Sequence, residues 1–177
     1  DYPLIMFGQD GEPVLGPLPT DRPHQFKAQA IYVLPFGTAI GLNQYVASGI
    51  PITREAAVYP SSQFPVQYLG RGSDGRTDVL SQTDLYVQHE FKAFGDRRIQ
   101  VSLNVLNLFD QKAVAGVYVL QTAAGVGLNI DEPAFFAGQL NFQQLLTAQN
   151  ATIDPRFLQA NSFQTPIAAR VGVKFIF

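Results

Sequence analysis

The chain has 177 residues, the length of one ordinary domain, and carries 12 Lys and Arg against 14 Asp and Glu, a net charge of −2. This balance argues against a surface for nucleic acid, and the absence of cysteine excludes a disulfide framework, a zinc cluster and a thiol nucleophile. Only 15% of the residues are charged and 46% are hydrophobic, which predicts that something other than water covers part of the surface.

Any crossing of a bilayer would use strands. No apolar run approaches the roughly 18 residues that a membrane helix needs. The sequence begins at Asp1 with neither Met nor an export signal. We therefore expect a C-terminal segment, residues 1–177, of a longer precursor.

Alternation of apolar and polar residues predicts two strands in the first third of the chain. The first spans residues 26–34, and the second spans about 39–45 after a turn at Pro35–Thr38. Residues 54–78 are rich in Pro, Gly, Ser and Asp, and they are predicted to form a loop.

A hairpin of two strands, 85–92 and 98–105, follows. One face is apolar and is predicted to face lipid: Leu85, Val87, Phe91, Ile99, Val101, Leu103 and Val105. The other is polar and is predicted to face a lumen: Gln88, Glu90, Lys92, Gln100, Ser102 and Asn104. The apolar residues of both strands lie on the same face only if the loop between them has an odd number of residues. A loop at Gly95–Arg97 would set Phe91 opposite Val101 and Gln88 opposite Asn104.

The rest of the chain is predicted to be one long connection and one strand. Residues 113–163 form the connection, with a short helix around 134–147, and residues 169–177 alternate again. Short turns and long connections therefore alternate, as in outer-membrane barrels. The fold predicted is all-β: part of an antiparallel transmembrane β-barrel, about five C-terminal strands with two long external loops. The alternative is an antiparallel sheet packed on a soluble core outside this chain.

Short motifs in a fixed order resemble those of TonB-dependent receptors of the Oar-like group. They are Asp21–His24, Ala30–Gly37, Ser48–Pro51, Gly70–Thr77, Gln82–Leu85, Asn104–Asp110, Asp154–Phe157 and Arg170–Phe177. Ile167-Ala168 departs from the pattern, where a basic residue is expected after Pro166. The match extends from about residue 20 to the end.

The resemblance implies a bacterial outer-membrane barrel of about 22 strands with a plugged lumen, of which this chain supplies the last five. It implies as partners the outer-membrane lipid, the upstream strands and plug of the same protein, the barrel-assembly machinery, and TonB through the absent N-terminal region. It also places an assembly signal at the end of the chain, in Val171, Val173, Phe175 and Phe177.

No enzyme chemistry, cofactor or metal is predicted. The letters of Gly70–Gly75 match a dinucleotide-binding pattern, but a strand rather than a helix should follow. His24 and His89 have no second ligand or acid at a fixed spacing. Asp131-Glu132 and the pair Asp74 and Asp78 lack the spaced oxygens of a calcium cage.

The sequence is compatible with two functions. The first is energy-coupled uptake of a solute, in which an inner-membrane partner pulls on the plug of the intact receptor. The second is an adhesion or structural barrel that binds a surface or protein through its long loops. An upstream plug with a TonB-contacting segment favours the first. An outer-membrane hydrolase would need an outward Ser-His pair, which the sequence does not show.

Overall fold

The computed structural model describes residues 6–59, 64–123 and 126–177. Its strands are β1 (Gln25–Val33), β2 (Thr38–Ala47), β3 (Ala56–Tyr59), β4 (Phe64–Val66), β5 (Leu80–Lys92), β6 (Arg98–Leu106), β7 (Val114–Val117), β8 (Leu128–Asn129), β9 (Ala160–Phe163) and β10 (Ala168–Ile176). Its helices are α1 (Glu132–Phe136) and α2 (Phe142–Ala148). Among the described residues, no helix has the length and apolar content needed to cross a bilayer.

Five strands form the main sheet, in the order β1-β2-β5-β6-β10, and every neighbouring pair is antiparallel. These are the five strands that the sequence predicts, with bounds that differ by a few residues. The last strand ends at Ile176, so that Phe177, predicted to be its final residue, lies beyond it. The prediction of an all-β fold with an antiparallel main sheet is confirmed.

The register of the central hairpin differs from the predicted one by two residues. Leu85 pairs with Val105, and Phe91 pairs with Ile99 instead of Val101. Gln88 accordingly pairs with Ser102 rather than Asn104. The N–H of Arg97 donates to the carbonyl oxygen of Phe94, which centres the turn on Gly95-Asp96 instead of on the predicted loop Gly95–Arg97.

Glycine at position 95 explains where this turn forms. Its φ of +66° is favourable for glycine and strained for other residues. An error of two residues leaves the faces unchanged, because side chains alternate with a period of two. The predicted division into an apolar and a polar face therefore survives the wrong register.

The chain divides into two compact units. The sheet unit comprises Arg22–Ser48, Asp78–Ala113 and Phe163–Phe177, and it holds the five-stranded sheet. The loop unit comprises Asp1–Asp21, Gly49–Thr77 and Val114–Ser162, and it holds most of the two long connections together with the N-terminal segment. Within the sheet, the short connections are 34–37 and 93–97, and the long ones are 48–79 and 107–167.

The loop unit has a hydrophobic core, which the sequence analysis did not predict. Its buried members are Ala56, Val58, Val66, Tyr68, Leu128, Phe135, Phe142 and Leu146. The ring of Tyr68 stacks on that of Phe142 with centroids 5.5 Å apart. Strand β3 pairs with β4 antiparallel and with β8 parallel. The described parts of 54–78 and 113–163 therefore contain folded structure, and β3 and β4 lie where the sequence predicts a loop over 54–78.

The single helix predicted around 134–147 is in fact two. Gly138, with a φ of +67°, follows the end of α1 and donates its N–H to the carbonyl oxygen of Phe135. Asn141 then caps α2 by accepting a hydrogen bond from the N–H of Gln144 at 3.1 Å.

Candidate functional site

The sheet has one apolar face that runs across all five strands. The register aligns the residues of this face in rows, such as Tyr32, Ile40, Val87, Leu103 and Val171. All seven residues predicted to face lipid share this face. So do Val171, Val173 and Phe175 of the predicted assembly signal.

Little covers this apolar face. The exposed fraction of the residue is 74% for Val171, 62% for Phe175 and 48% for Leu42. In the whole sheet unit only Gly41, Ala47, Asn107 and Gln164 are buried. Contiguous apolar surface of this extent is rare on a protein surrounded by water. The face therefore requires another layer, either protein or lipid.

The opposite face is mainly polar, with Ile31 and Val33 of β1 among its apolar residues. It carries all six residues predicted to line a lumen, which β5 and β6 present side by side. The same face carries Lys27, Gln29, Asn43, Asp84, Arg98, Arg170 and Lys174. No pair of carboxylates occurs in one row of it, which gives no support to acid–base catalysis.

Hydrogen bonds between side chains link three strands across the polar face. Gln29 donates to Asn43 Oδ1 at 3.2 Å, and Asn43 donates to Asp84 Oδ2 at 3.0 Å. The other oxygen of Asp84 accepts from Gln82 at 2.8 Å and from the N–H of Asn107 at 2.9 Å. The cross-strand bonds through Asn43 stabilise the sheet, and both oxygens of Asp84 accept at least one hydrogen bond.

The apolar face changes character at the end that leads to the long connections. There Gln44 donates to Ser81 Oγ at 3.2 Å and accepts from Thr83 Oγ1 at 2.5 Å. These polar groups occupy the two rows beyond Leu42 and Leu85. The apolar rows thus form a band with a polar border.

Aromatic rings mark the other end of the band, beside the short turns. His89 lies 4.3 Å from Phe91 and 6.4 Å from Phe36, measured between ring centroids. Its Nδ1 forms a hydrogen bond of 2.6 Å with Thr38 Oγ1. His89 is therefore a partnered member of an aromatic group on the apolar face.

In the loop unit, motif residues from distant parts of the sequence meet. Arg76 donates to Asp21 Oδ2 at 2.6 Å and to the carbonyl oxygen of Gly49 at 2.9 Å. Thr77 Oγ1 accepts from the N–H of Ile50 at 3.0 Å. These contacts join three of the segments on which the family resemblance rests, and they give Asp21, Arg76 and Thr77 a structural role.

Arg54 and Asp74 form a bidentate ion pair, with N–O distances of 2.6 and 3.3 Å. The hydrogen bond that Arg54 donates to Asp74 is the main reason that the pKa of Arg54 is raised. The guanidinium of Arg54 also lies 5.1 Å from the ring centroid of Phe157. Because both oxygens of Asp74 bind Arg54, this carboxylate is not poised to hold calcium.

A second bidentate pair lies in the motif 154–157. Arg156 donates to Asp154 at 2.8 and 3.0 Å, and its guanidinium lies 4.7 Å from the ring centroid of Tyr118. The hydrogen bond from Arg156 lowers the pKa of Asp154, and the same contact raises the pKa of Arg156. The motif therefore stabilises a local turn, and Arg156 places this turn next to Tyr118.

The motif 104–110 closes the sheet where β6 ends. The buried Asn107, with a φ of +49°, donates from Nδ2 to the carbonyl oxygens of Gln111 and Thr165 at 3.0 and 2.8 Å. Asp110 accepts from the N–H of Ile167 at 3.1 Å, and this bond is the first cause of its lowered pKa. The segment thereby ties the end of β6 to the start of β10.

Residues 70–75 and His24 lie in loops and turns outside the strands. Residues 70–75 form turns with Gly70, Gly72 and Gly75 at positive φ, and β5 rather than a helix follows. His24 donates its backbone N–H to Ser48 Oγ at 3.3 Å. In the part of the chain that the structure describes, no three His, Asp or Glu side chains are grouped so that they could hold a metal ion.

Comparison with known proteins supports the family resemblance. The sequence is 24% identical over 176 residues to the TonB-dependent transporter Oar of Myxococcus xanthus. The chain is similar to a TonB-dependent transporter. The match covers 92% of this chain but 17% of that transporter, so the chain spans less than a fifth of its relative's length. No protein-family model matches the chain, and no solved structure matches it.

Proposed function

We propose that this chain supplies five wall strands of a TonB-dependent receptor in the bacterial outer membrane, and that the intact receptor takes up a solute by energy coupling. The observation that carries the proposal is the antiparallel sheet with an uncovered apolar face and a polar reverse. A transmembrane β-barrel needs this arrangement, because its strands contact lipid on one side and a lumen on the other.

Further partners are expected because the sheet must close into a barrel. Strands β1 and β10 are the two edges of the sheet. An edge in hydrocarbon leaves backbone N–H and C=O groups without partners, at a cost of several kcal/mol each. Upstream strands of the same protein would complete the barrel, the barrel-assembly machinery would insert it, and a plug outside this chain would contact TonB.

Contact with lipid can be tested residue by residue with single cysteines, because this chain has none of its own. Any cysteine elsewhere in the intact protein would first be replaced by serine. Single cysteines at 85, 86, 87 and 88 of the intact protein would carry a fluorophore, and lipids with brominated chains would be the quencher. We expect quenching at 85 and 87 and much less at 86 and 88. Equal quenching at all four positions would contradict the membrane wall.

The long connections are proposed to lie outside the cell. Single cysteines at Gln143, on the exposed side of α2, and at Asp96, in the short turn, would be treated with a membrane-impermeant maleimide on intact cells. Labelling of position 143 alone supports this orientation. Labelling of 96 alone would reverse it.

The second candidate is adhesion, and the folded core of the loop unit favours it, since a rigid surface suits binding to a protein or a cell. The two functions differ in their need for energy. Uptake by the intact receptor should stop when TonB is deleted or the proton gradient is dissipated. Adhesion of cells should persist in both cases.

A further inference from the structure

The loop unit contains a cleft of about 290 Å³. Most of its lining comes from the segments 50–53, 115–119 and 161–162, together with Gln67. Among the lining residues that the structure describes, none is charged and none is aromatic. The volume is close to the lower end of the range of small-ligand sites, roughly 300–1,000 Å³. The cleft therefore suits a small uncharged ligand, because an ion would find no charged partner in it.

Gln67 supplies a buried hydrogen-bond acceptor to this lining. The residue is 1% exposed, and its Nε2 donates to Glu55 Oε1 at 3.2 Å. Because the Glu55 oxygen is the acceptor in this bond, the orientation of the Gln67 amide is fixed and Oε1 is its other end. No described residue donates to Gln67 Oε1. A buried acceptor without a donor is unfavourable, so this oxygen favours a ligand that brings an N–H or O–H group.

The side chain of Gln67 points away from the hydrophobic core. Its neighbours in sequence, Val66 and Tyr68, both belong to the core. Side chains of extended chain alternate between two faces, so Gln67 lies on the opposite face. Its partner Glu55 precedes the core residue Ala56 and shares that face. The free oxygen of Gln67 is therefore on the side of the cleft.

Strand β7 presents an open edge to the same cleft. Its residues Ala115, Gly116 and Val117 line the cleft, and Gly116 does so with backbone atoms alone. Within the described residues β7 pairs only with β9, and no backbone hydrogen bond reaches its other edge at 115–117. An open strand edge binds an extended peptide through alternating N–H and C=O groups.

We propose that the cleft binds a short uncharged peptide segment in extended conformation. The peptide adds a strand beside 115–117 and donates a backbone N–H to Gln67 Oε1. Ile50, Ile52 and Val119 contact its apolar side chains. The site goes beyond the proposed function and does not depend on it, because every described lining residue belongs to the loop unit.

Binding of a blocked tripeptide to the intact protein in detergent tests the proposal. The probe is acetyl-Ala-Val-Ala-amide, and its control is the same peptide with methylated backbone nitrogens, which keeps the apolar side chains and loses the donors. We expect saturable binding of the probe that slows hydrogen exchange within residues 115–117, and several-fold weaker binding of the methylated peptide. Equal binding of the two would refute pairing at the strand edge. No saturable binding in the millimolar range would refute the site.

Three variants of the intact protein locate the bound peptide. Ser162→Trp places a large ring on an exposed lining residue and should abolish binding. Gln143→Trp is the matched control, since this exposed residue of α2 does not line the cleft. Gln67→Met removes the amide at similar size and should weaken binding several-fold. Hydrogen exchange at the core residues Val58 and Leu128 shows whether each variant keeps its fold.

The variants also decide against the proposal if the peptide binds elsewhere. Unchanged binding to folded Ser162→Trp protein would overturn the assignment to this cleft. If Gln67→Met disturbs the core, Ser162→Trp and the methylated peptide decide.

Failure of this site and failure of the proposed function give different results. Lipid quenching at positions 85 and 87 reports only on the sheet unit. Quenching without peptide binding refutes the peptide site and leaves the membrane wall in place. Peptide binding without quenching contradicts the membrane wall and supports the peptide site.

Discussion

The two units of this chain use similar hydrophobic residues in opposite ways. In the loop unit, Leu128, Phe135 and Phe142 have no exposed surface. In the sheet unit, Val173 and Phe175 are 57% and 62% exposed. The difference lies in the number of layers. The loop unit folds two helices over short strands and buries its own core, whereas the sheet unit is one layer and needs a second from elsewhere.

This contrast shows that a hydrophobic residue is buried only when a second layer of structure packs against its own layer. In the loop unit the layer comes from the chain itself. In the sheet unit we propose lipid on one face and protein or water on the other. Substitutions in the two units should therefore respond to different surroundings.

The largest effect should come from the core of the loop unit. Phe135→Ala removes a fully buried ring that contacts Phe142, and it should destabilise the unit by about 3–5 kcal/mol. Phe136→Ala is the matched control, since this ring is 53% exposed and should cost far less. Hydrogen exchange of residues 114–162 in the intact protein measures both. Equal protection in the two variants would contradict a core at Phe135.

In the sheet unit the cost should depend on the bilayer. Leu103→Arg places a charge in the apolar band and should destabilise the inserted protein by about 2–4 kcal/mol if the position is near the midplane. Ser102→Arg, on the polar face, should cost little. Denaturant titration of refolding into lipid vesicles measures the difference. Equal tolerance of the two arginines would argue against the membrane wall.

The end of the chain should affect assembly more than stability. Deleting Phe177, which is 93% exposed and lies beyond β10, should reduce the amount of folded receptor in the outer membrane several-fold while synthesis stays unchanged. The reason is the predicted assembly signal formed with Val171, Val173 and Phe175. Heat-modifiable protein in membrane fractions is the readout. Normal amounts after the deletion would remove Phe177 from the signal.

The smallest effect should be a pH dependence in the loop unit. Because Arg156 lowers the pKa of Asp154 in the folded state, this pair stabilises the unit above the ordinary carboxyl pKa of about 4. The contribution is lost as pH falls through the folded pKa. The stability difference between wild type and Asp154→Asn should therefore shrink below about pH 4. A difference that is constant from neutral to acid pH would show that the pair contributes no linked stability.

The sequence predicts the sheet well because its signal is local. Alternation over nine residues is enough to identify β6 and to assign Leu103 and Ser102 to opposite faces. The sequence predicts the register of the central hairpin less well. The alternation requires an odd number of loop residues but does not say which residues form the turn, and this explains the error of two residues. The positive φ at Gly95 locates the turn, and it becomes visible only in the structure.

The loop unit, in contrast, was decided by tertiary structure. Its strands have two to four residues, too few for alternation to be recognised. Its core joins Val58, Leu128 and Phe142, which lie in separate segments of the sequence. Similarly, the sequence shows residues 21 and 76 only as members of two separate motifs, and the tertiary structure brings them together as an ion pair. Periodicity in the sequence therefore determined which residues share a face, because each strand sets that alternation locally. Which distant segments meet to form a core was determined only when the chain folded, because that choice depends on packing between segments rather than within them.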